Sequence, residues 1–254
     1  MTRVYLTGGL RVDGPRGTFL DSDLAGAQGR LTFAILAAER RPIARDELAE
    51  LVWDGDLPPQ WNNALTAIVS KIRNLMSGVG LAGREVVTSA GGTCVIVWPA
   101  DAWVDLEDAR RRLDRAEGAL RRGDYAAVTV DTTVASAVFR RPFLAGVPAG
   151  WVDEQRRLHD EALYRCLSAL AEAWSALGAH ALAASIAESA IRHDPLREIG
   201  YRLLIAAEAG RGDWGAAMGA YARCARVLET ELGVTPSRAT AALVETMRSA
   251  GPTG

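Results

Sequence analysis

The chain has 254 residues, 49% of them apolar, with 29 basic against 31 acidic residues and a formal net charge of −2. That length exceeds one average domain and predicts two units, each long enough to bury a core. The balance of charge excludes a general attraction to polyanions, so nucleic-acid binding would have to come from a local patch.

Two short β-prone runs, Val4 to Leu6 and Leu10 to Val12, flank Gly8 and Gly9, and a third at Thr18 to Leu20 follows the Gly14-Pro15 turn, so a small antiparallel sheet is expected first. Ala27 to Glu39 carries Leu31, Ala34, Ile35 and Ala38 at helical spacing, and Pro42 stops it. Arg45 to Trp53 reads as a second helix with Leu48, Leu51 and Val52 on one face and Asp46 and Glu47 at its positive end.

The stretch DLPPQWNNALTAIVSKIRNLM, Asp56 to Met76, predicts a third helix. Leu65, Ile68, Val69, Ile72, Leu75 and Met76 fall on one buried face, and Asn62 is placed to cap it. Opposite lie Asn63, Thr66, Ala67, Ser70 and Asn74, flanked by Lys71, the sole lysine, and Arg73. Small amide and hydroxyl residues of this kind can read base edges, although a solvated helix surface is the plainer reading of the same pattern. Glu85 to Ser89 and Thr93 to Val97, joined by Ala90-Gly91-Gly92, then predict a β-hairpin. Sheet, three helices and hairpin make a winged helix.

LTGGLRV, GAQGRLTFAIL, RDELAELVW and SKIRNLM, in that order, resemble the OmpR-type winged helix of the SARP/AfsR regulators, in which it precedes a helical bacterial transcriptional activator domain. The resemblance implies an α+β winged helix over residues 1–100, followed by an all-α, tetratricopeptide-like helical repeat domain over 101–254. It implies that Asn63, Thr66, Ala67, Ser70, Lys71, Arg73 and Asn74 face double-stranded DNA, and that the loop Asp54, Gly55, Asp56 and Leu57 faces RNA polymerase. The implied role is an activator working as a homodimer on repeated promoter half-sites. The first 101 residues nevertheless hold ten basic and eleven acidic residues, and the hairpin has no charge from Val86 to Val97. With few candidate phosphate contacts, such a domain should bind DNA weakly alone and gain from dimerisation. The rival reading is a protein-interaction or ligand-sensing module whose winged helix binds DNA weakly or not at all.

From Trp103 onward no β-like run interrupts the helix formers. Helices are expected from Trp103 to about Arg122, Asp124 to Arg140, Trp151 to Leu177, Ala179 to His193, Leu196 to Gly210, Asp213 to Leu232 and Ser237 to Ala250. Leu163, Leu167, Leu170, Trp174 and Leu177 form a packing seam. Gly178-Ala-His and Gly212-Asp-Trp begin 34 residues apart, the tetratricopeptide period, and Gly123-Asp-Tyr is a third copy of the same turn. Asp194-Pro195-Leu196-Arg197-Glu198 and Glu229-Thr-Glu-Leu-Gly233-Val-Thr-Pro236 resemble family-specific strings whose expected role is structural, with dimer formation or partner contact, or a small-molecule or protein ligand, served by this domain.

Little points to chemistry. Cys94, Cys166 and Cys224 are far apart without a CxxC, which favours reduced, buried thiols over disulfides or zinc. Gly78, Gly80 and Gly83 fit GxGxxG but follow a helix and precede a strand, the reverse of a dinucleotide site, so a flexible turn is expected. His159, His180 and His193 lack metal-ligand spacing and read as surface or capping residues, the acidic pairs as solvated faces, and Trp151, Trp174, Trp214 and Tyr221 as packing residues. No catalytic set, metal or cofactor is expected. No apolar run nears the roughly 18 residues of a membrane span and the N-terminus lacks a signal-peptide core, so a cytoplasmic protein is expected.

Overall fold

The computed structural model describes residues 1–250. By internal contacts the chain divides into two compact units, Met1–Arg110 with Val138–His159, and Arg111–Ala137 with Asp160–Gly254.

The first unit begins with strands β1 (Arg3–Tyr5), β2 (Arg11–Gly14) and β3 (Gly17–Leu20), paired antiparallel with Val4 opposite Val12 and Val12 opposite Phe19. Helix α1 (Gly26–Glu39) follows and ends with Arg40 in the left-handed region. A two-residue strand β4 (Ile43–Ala44) leads into α2 (Arg45–Trp53), and the long α3 (Trp61–Gly78) comes next. A short turn of helix, α4 (Gly83–Val86), leads to the hairpin β5 (Val87–Ala90) and β6 (Thr93–Ile96), which with β4 forms a three-stranded sheet in the order β4-β6-β5. This is the expected winged helix.

The first unit departs from the sequence expectation in several places. Trp103 does not begin a helix: Trp103–Val104 is a strand, β7, that lies parallel to β1 with Val104 against Val4, completing a sheet in the order β3-β2-β1-β7. Helix α5 (Asp105–Arg121) starts only after it. Helix α1 is not amphipathic but buried nearly all round, including Thr32, Phe33, Leu36 and Ala37. The reason is that Phe33 meets Phe19 and Trp98 edge-on at 5.5 and 6.3 Å, while α2, α3 and β6 also pack against the helix. Finally, two of the three glycines of the GxGxxG string, Gly80 and Gly83, are tightly packed, whereas Gly78 is open. A Cβ on Gly83 would sit 2.2 Å from the Arg73 carbonyl oxygen, and Gly80 has φ of +86° against the Arg16 side chain.

The second unit is helical. Residues from Arg111 in α5 pair with α6 (Tyr125–Phe139) through Arg112 and Arg115, which both bind Asp131, and through Ala116, Ala119 and Val128 packed on Ala169 and Ala173 of α7 (Gly150–Ala176). Leu163, Leu167 and Leu170 are buried as expected, but Leu177 lies beyond the helix end and is half exposed. Helices α8 (His180–His193), α9 (Glu198–Gly210), α10 (Trp214–Leu232) and α11 (Arg238–Ala250) surround a second core that includes Tyr201, Leu204, Ile205, Cys224 and Leu228. Trp174, Trp214 and Tyr221 pack against it. Pro195 lies in the turn before α9 rather than at its first residue, and Arg197 occupies the helix N-cap.

The repeated turn has a physical basis. Gly123, Gly178 and Gly212 all adopt left-handed φ, between 73° and 78°, where a Cβ would be strained. After two of them an aspartate caps the next helix: Asp124 accepts from the Ala127 N–H at 3.2 Å and Asp213 from the Ala216 N–H at 2.9 Å. The third copy has Ala179 in this place, with no side-chain cap. An Ala179→Asp variant should therefore gain about 1 kcal/mol of unfolding free energy, measured by urea titration.

All three cysteines are free and buried, and burial pushes the thiols of Cys166 and Cys224 up to about 12 and about 11. His159, expected at the surface, is only 3% exposed, because it fills the space between Phe139 and Phe143, with ring centroids 5.8 and 4.9 Å away. Burial, and secondarily the charge of Arg110, lowers its pKa from 6.5 to about 4. The unfolded chain thus takes up this proton below about pH 6.5 and the folded chain only near pH 4. The buried neutral ring favours folding fully above that window and loses its effect as pH falls through it. Between pH 7 and pH 4 the wild type should lose roughly 3 kcal/mol more stability than His159→Phe, measured by denaturant unfolding at each pH.

Candidate nucleic-acid interface

Helix α3 presents its apolar residues Leu65, Ile68, Val69, Ile72 and Met76 to the core of the first unit. The opposite face emerges as expected: Asn63, Thr66, Ala67, Ser70, Lys71 and Asn74 are all exposed. Not one acidic residue occurs between Trp61 and Gly78, so the only formal charges on the helix are Lys71 and Arg73. Among the described residues no side-chain hydrogen bond holds Asn63 or Asn74, which leaves both amides free to pair.

Arg73 is different. It is half-buried, and its Nε donates to the Val87 carbonyl at 2.8 Å, so this guanidinium fastens α3 to the hairpin that forms the wing. The hairpin closes through Gly91 and Gly92, both with positive φ (58° and 76°), between the paired residues Ala90 and Thr93. That two-residue turn matches the twist of the strands and makes a compact wing. Its side chains carry no charge from Val86 to Val97.

Asn62 does not cap the helix. The helix starts two residues earlier than that cap requires, at Trp61, with Gln60 in the cap position, and Asn62 lies in the first turn. Its side chain is held instead by Arg45, the first residue of α2. Arg45 Nε and Nη2 donate to Asn62 Oδ1 at 3.1 and 2.7 Å, and Nη2 also reaches Thr66 Oγ1 at 2.8 Å. Nη1 points to Ser89 Oγ and Cys94 Sγ in the wing, at 3.4 and 3.8 Å. The backbone N–H of Arg45 donates to the carbonyl of Gly92 at the wing tip, at 2.9 Å. Sequence reading passed over Arg45, and no sequence signal singles it out, because its partners lie 17 to 49 residues away.

Three other arginines of the first unit pair with carboxylates: Arg11 with Asp13, Arg41 with Glu39 and Glu47, and Arg40 with Glu107. Arg41 holds the Glu47 carboxyl below its usual range, and Arg11 does the same for Asp13. In the loop between α2 and α3, Gly55 and Asp56 are exposed and Leu57 is half-buried. Asp54 adopts left-handed φ (52°) and accepts from the Gly150 N–H at 3.0 Å, which fixes one end of this loop.

In the second unit, Arg197 pairs with Glu161 and with Asp194 (2.9 Å) and lies over the Tyr164 ring at 4.5 Å. Glu198 accepts from Ser237 N–H and Oγ–H at 3.0 and 2.8 Å. The two family-like strings therefore meet, one holding the start of the helix that follows the other. A cavity of about 200 Å³ lies between α8, α9 and α10, lined by Glu188, Leu204, Glu208, Gly219 and Arg223 among others. Among the described residues no group of three or more His, Cys, Asp or Glu side chains could hold a metal ion, and no helix is long and apolar enough to cross a membrane.

Comparison with known proteins agrees with this architecture. The family model of the bacterial transcriptional activator domain matches residues 104–248. The regulatory protein AfsR of Streptomyces griseus is 28% identical over 221 residues, 87% of this chain and 22% of that protein. AfsR of Streptomyces coelicolor is 28% identical over 209 residues, 82% of this chain and 20% of that protein. The chain thus spans about a fifth of the length of these curated relatives. Mycobacterium tuberculosis EmbR, solved in complex with a low affinity phosphopeptide, superposes with a TM-score of 0.88 at 23% identity, covering 100% of this chain and 66% of that one, and so shares its fold.

Proposed function

The chain belongs to the bacterial transcriptional activator domain family, and from that premise we propose that it is a DNA-binding regulator of transcription whose α3 enters the major groove of promoter DNA. The observation that carries this reading is the outer face of α3, which is polar, exposed and free of any carboxylate in a unit whose charges otherwise nearly cancel. Asn63 and Asn74 are base-reading residues, since an unattached asparagine amide can pair with both N6 and N7 of adenine. The Ala67 methyl suits a thymine methyl, Ser70 contacts a base or a phosphate, and Lys71 neutralises a phosphate. Arg73 contributes indirectly by tying the wing to α3, with its terminal nitrogens left for the backbone of the DNA.

So few cations predict weak binding by one copy. The helical unit offsets this by joining two copies on repeated half-sites, which raises the effective concentration of the second winged helix. The loop Asp54 to Leu57, anchored by Asp54 and open at Gly55 and Asp56, is where RNA polymerase is engaged. The cavity between α8 and α10 is where a small-molecule or peptide ligand of the helical unit would sit.

Selection of binding sites from random duplexes, followed by titration at several salt concentrations, tests this reading. Asn63→Ala and Asn74→Ala should each reduce discrimination at one base pair by roughly 10-fold, within the 1–3 kcal/mol of a good bidentate contact. Lys71→Ala should weaken binding to every sequence and make the plot of log affinity against log salt shallower by about 1. Binding that lacks sequence preference and is unchanged in all three variants would sink it.

A further inference from the structure

From the Arg45 cluster we infer that Arg45 is a positioning residue that locks Asn62 into a donor-only orientation and turns the Thr66 methyl outward, so that the first turns of α3 read an acceptor base edge beside a thymine methyl. The inference rests on α3 entering the major groove, as proposed above.

The hydrogen-bond inventory of each side chain supports it. An asparagine amide has one acceptor oxygen and an NH2 with two donors. Asn62 Oδ1 receives both Arg45 Nε and Arg45 Nη2, so the oxygen faces the protein and the NH2 is directed away from Arg45. Pairing with adenine through both N6 and N7 needs the oxygen as well as the NH2, and that oxygen is taken. What remains matches acceptors only: O6 and N7 of guanine or O4 of thymine, while adenine keeps a single contact at N7 and its N6 donor is left unmatched.

Thr66, one turn on, is held in the same way. Its Oγ1 donates to the Asn62 carbonyl at 2.7 Å and accepts from Arg45 Nη2 at 2.8 Å, so its hydroxyl is turned to the protein and its methyl is the group left for a base. Asn62 and Thr66 are both exposed.

Arg45 itself is poorly suited to gripping a phosphate. An arginine–phosphate fork needs two parallel N–H groups directed at the phosphate. Here Nε and both terminal nitrogens already donate to Asn62, Thr66, Ser89 and Cys94, and among the described residues no carboxylate pairs with the guanidinium. Its partners come from α3 on one side and from the wing on the other, so the residue fixes the amide against the two elements that would straddle the groove.

The test uses the full chain with Arg45→Met, Arg45→Lys and Asn62→Asp. In selection from random duplexes the wild type should favour guanine or thymine at the base pair read by Asn62. Asn62→Asp keeps an oxygen for Arg45 but loses both donors, so the preference ratio at that pair should fall roughly 10-fold with other positions retained. Arg45→Met frees the amide oxygen for N6 of adenine, so the preference for adenine should rise there roughly 10-fold while the salt slope is unchanged. Arg45→Lys keeps the charge without the fork and should behave as Arg45→Met. Uniform weakening on all sequences with a shallower salt slope in both Arg45 variants would identify a phosphate contact and overturn the inference. NMR relaxation of the Asn62 side-chain amide in the free protein gives a readout that needs no DNA. It should be rigid in the wild type and mobile in Arg45→Met, and equal mobility in the two overturns the positioning role. If the wild type binds no duplex, the DNA-binding reading itself fails, and the amide measurement alone decides for or against Arg45.

Discussion

The carboxylate of Asp105 is fully buried at the point where strand β7 ends and helix α5 begins, beside the end of β1. One oxygen accepts from the backbone N–H of Leu6 at 2.9 Å and of Leu106 at 2.7 Å, and the other from the backbone and hydroxyl of Thr7 at 3.1 and 2.9 Å. Burial pushes its carboxyl above the usual range, while the donors from Leu6, Thr7 and Leu106 pull the other way. A buried carboxylate is tolerable only when its lone pairs are satisfied, and removing the donors would strand it at a cost of several kcal/mol. Residues separated by about a hundred positions are thereby held in one register, and β7, immediately before Asp105, is placed beside β1. The sheet beneath Phe33 of α1 depends on that closure, and α1 in turn supports α3.

Long periodic segments were legible in the chain and short pairings were not. The apolar face of α3 repeats over about three turns, and its buried residues are among the ones the spacing selects. The left-handed glycines of the repeat were legible too, because one physical requirement recurs at a fixed distance. Strands β4 and β7 have two residues each, too few to show a period, and exist only because a partner strand lies alongside. His159 resembled a surface residue because its aromatic neighbours, Phe139 and Phe143, are 16 to 20 positions away in sequence.

The candidate site divides along the same line. Which residues of α3 face outward follows from helical geometry, so Asn63, Thr66, Ser70 and Asn74 could be named without a structure. How those side chains are oriented depends on tertiary hydrogen bonds, and Arg45, Asn62 and Ser89 supply orientation that no local pattern encodes. The role of Arg73 shifted for the same reason: its charge is evident in the sequence, its attachment to Val87 is not. The hairpin carries no charge and α3 only Lys71 and Arg73, so shape and orientation must carry more of the recognition than attraction does.

Lys71 is the only lysine in the chain and it stands exposed on α3. The protein therefore has a single side-chain amine, and it lies on the surface that would meet DNA. Amine-directed reagents, which on most proteins report an average over many sites, would here report, at the one side-chain amine and apart from the terminal amine, the covering and uncovering of one helix face. The same scarcity means that acylation of one atom would remove the most accessible positive charge that α3 presents.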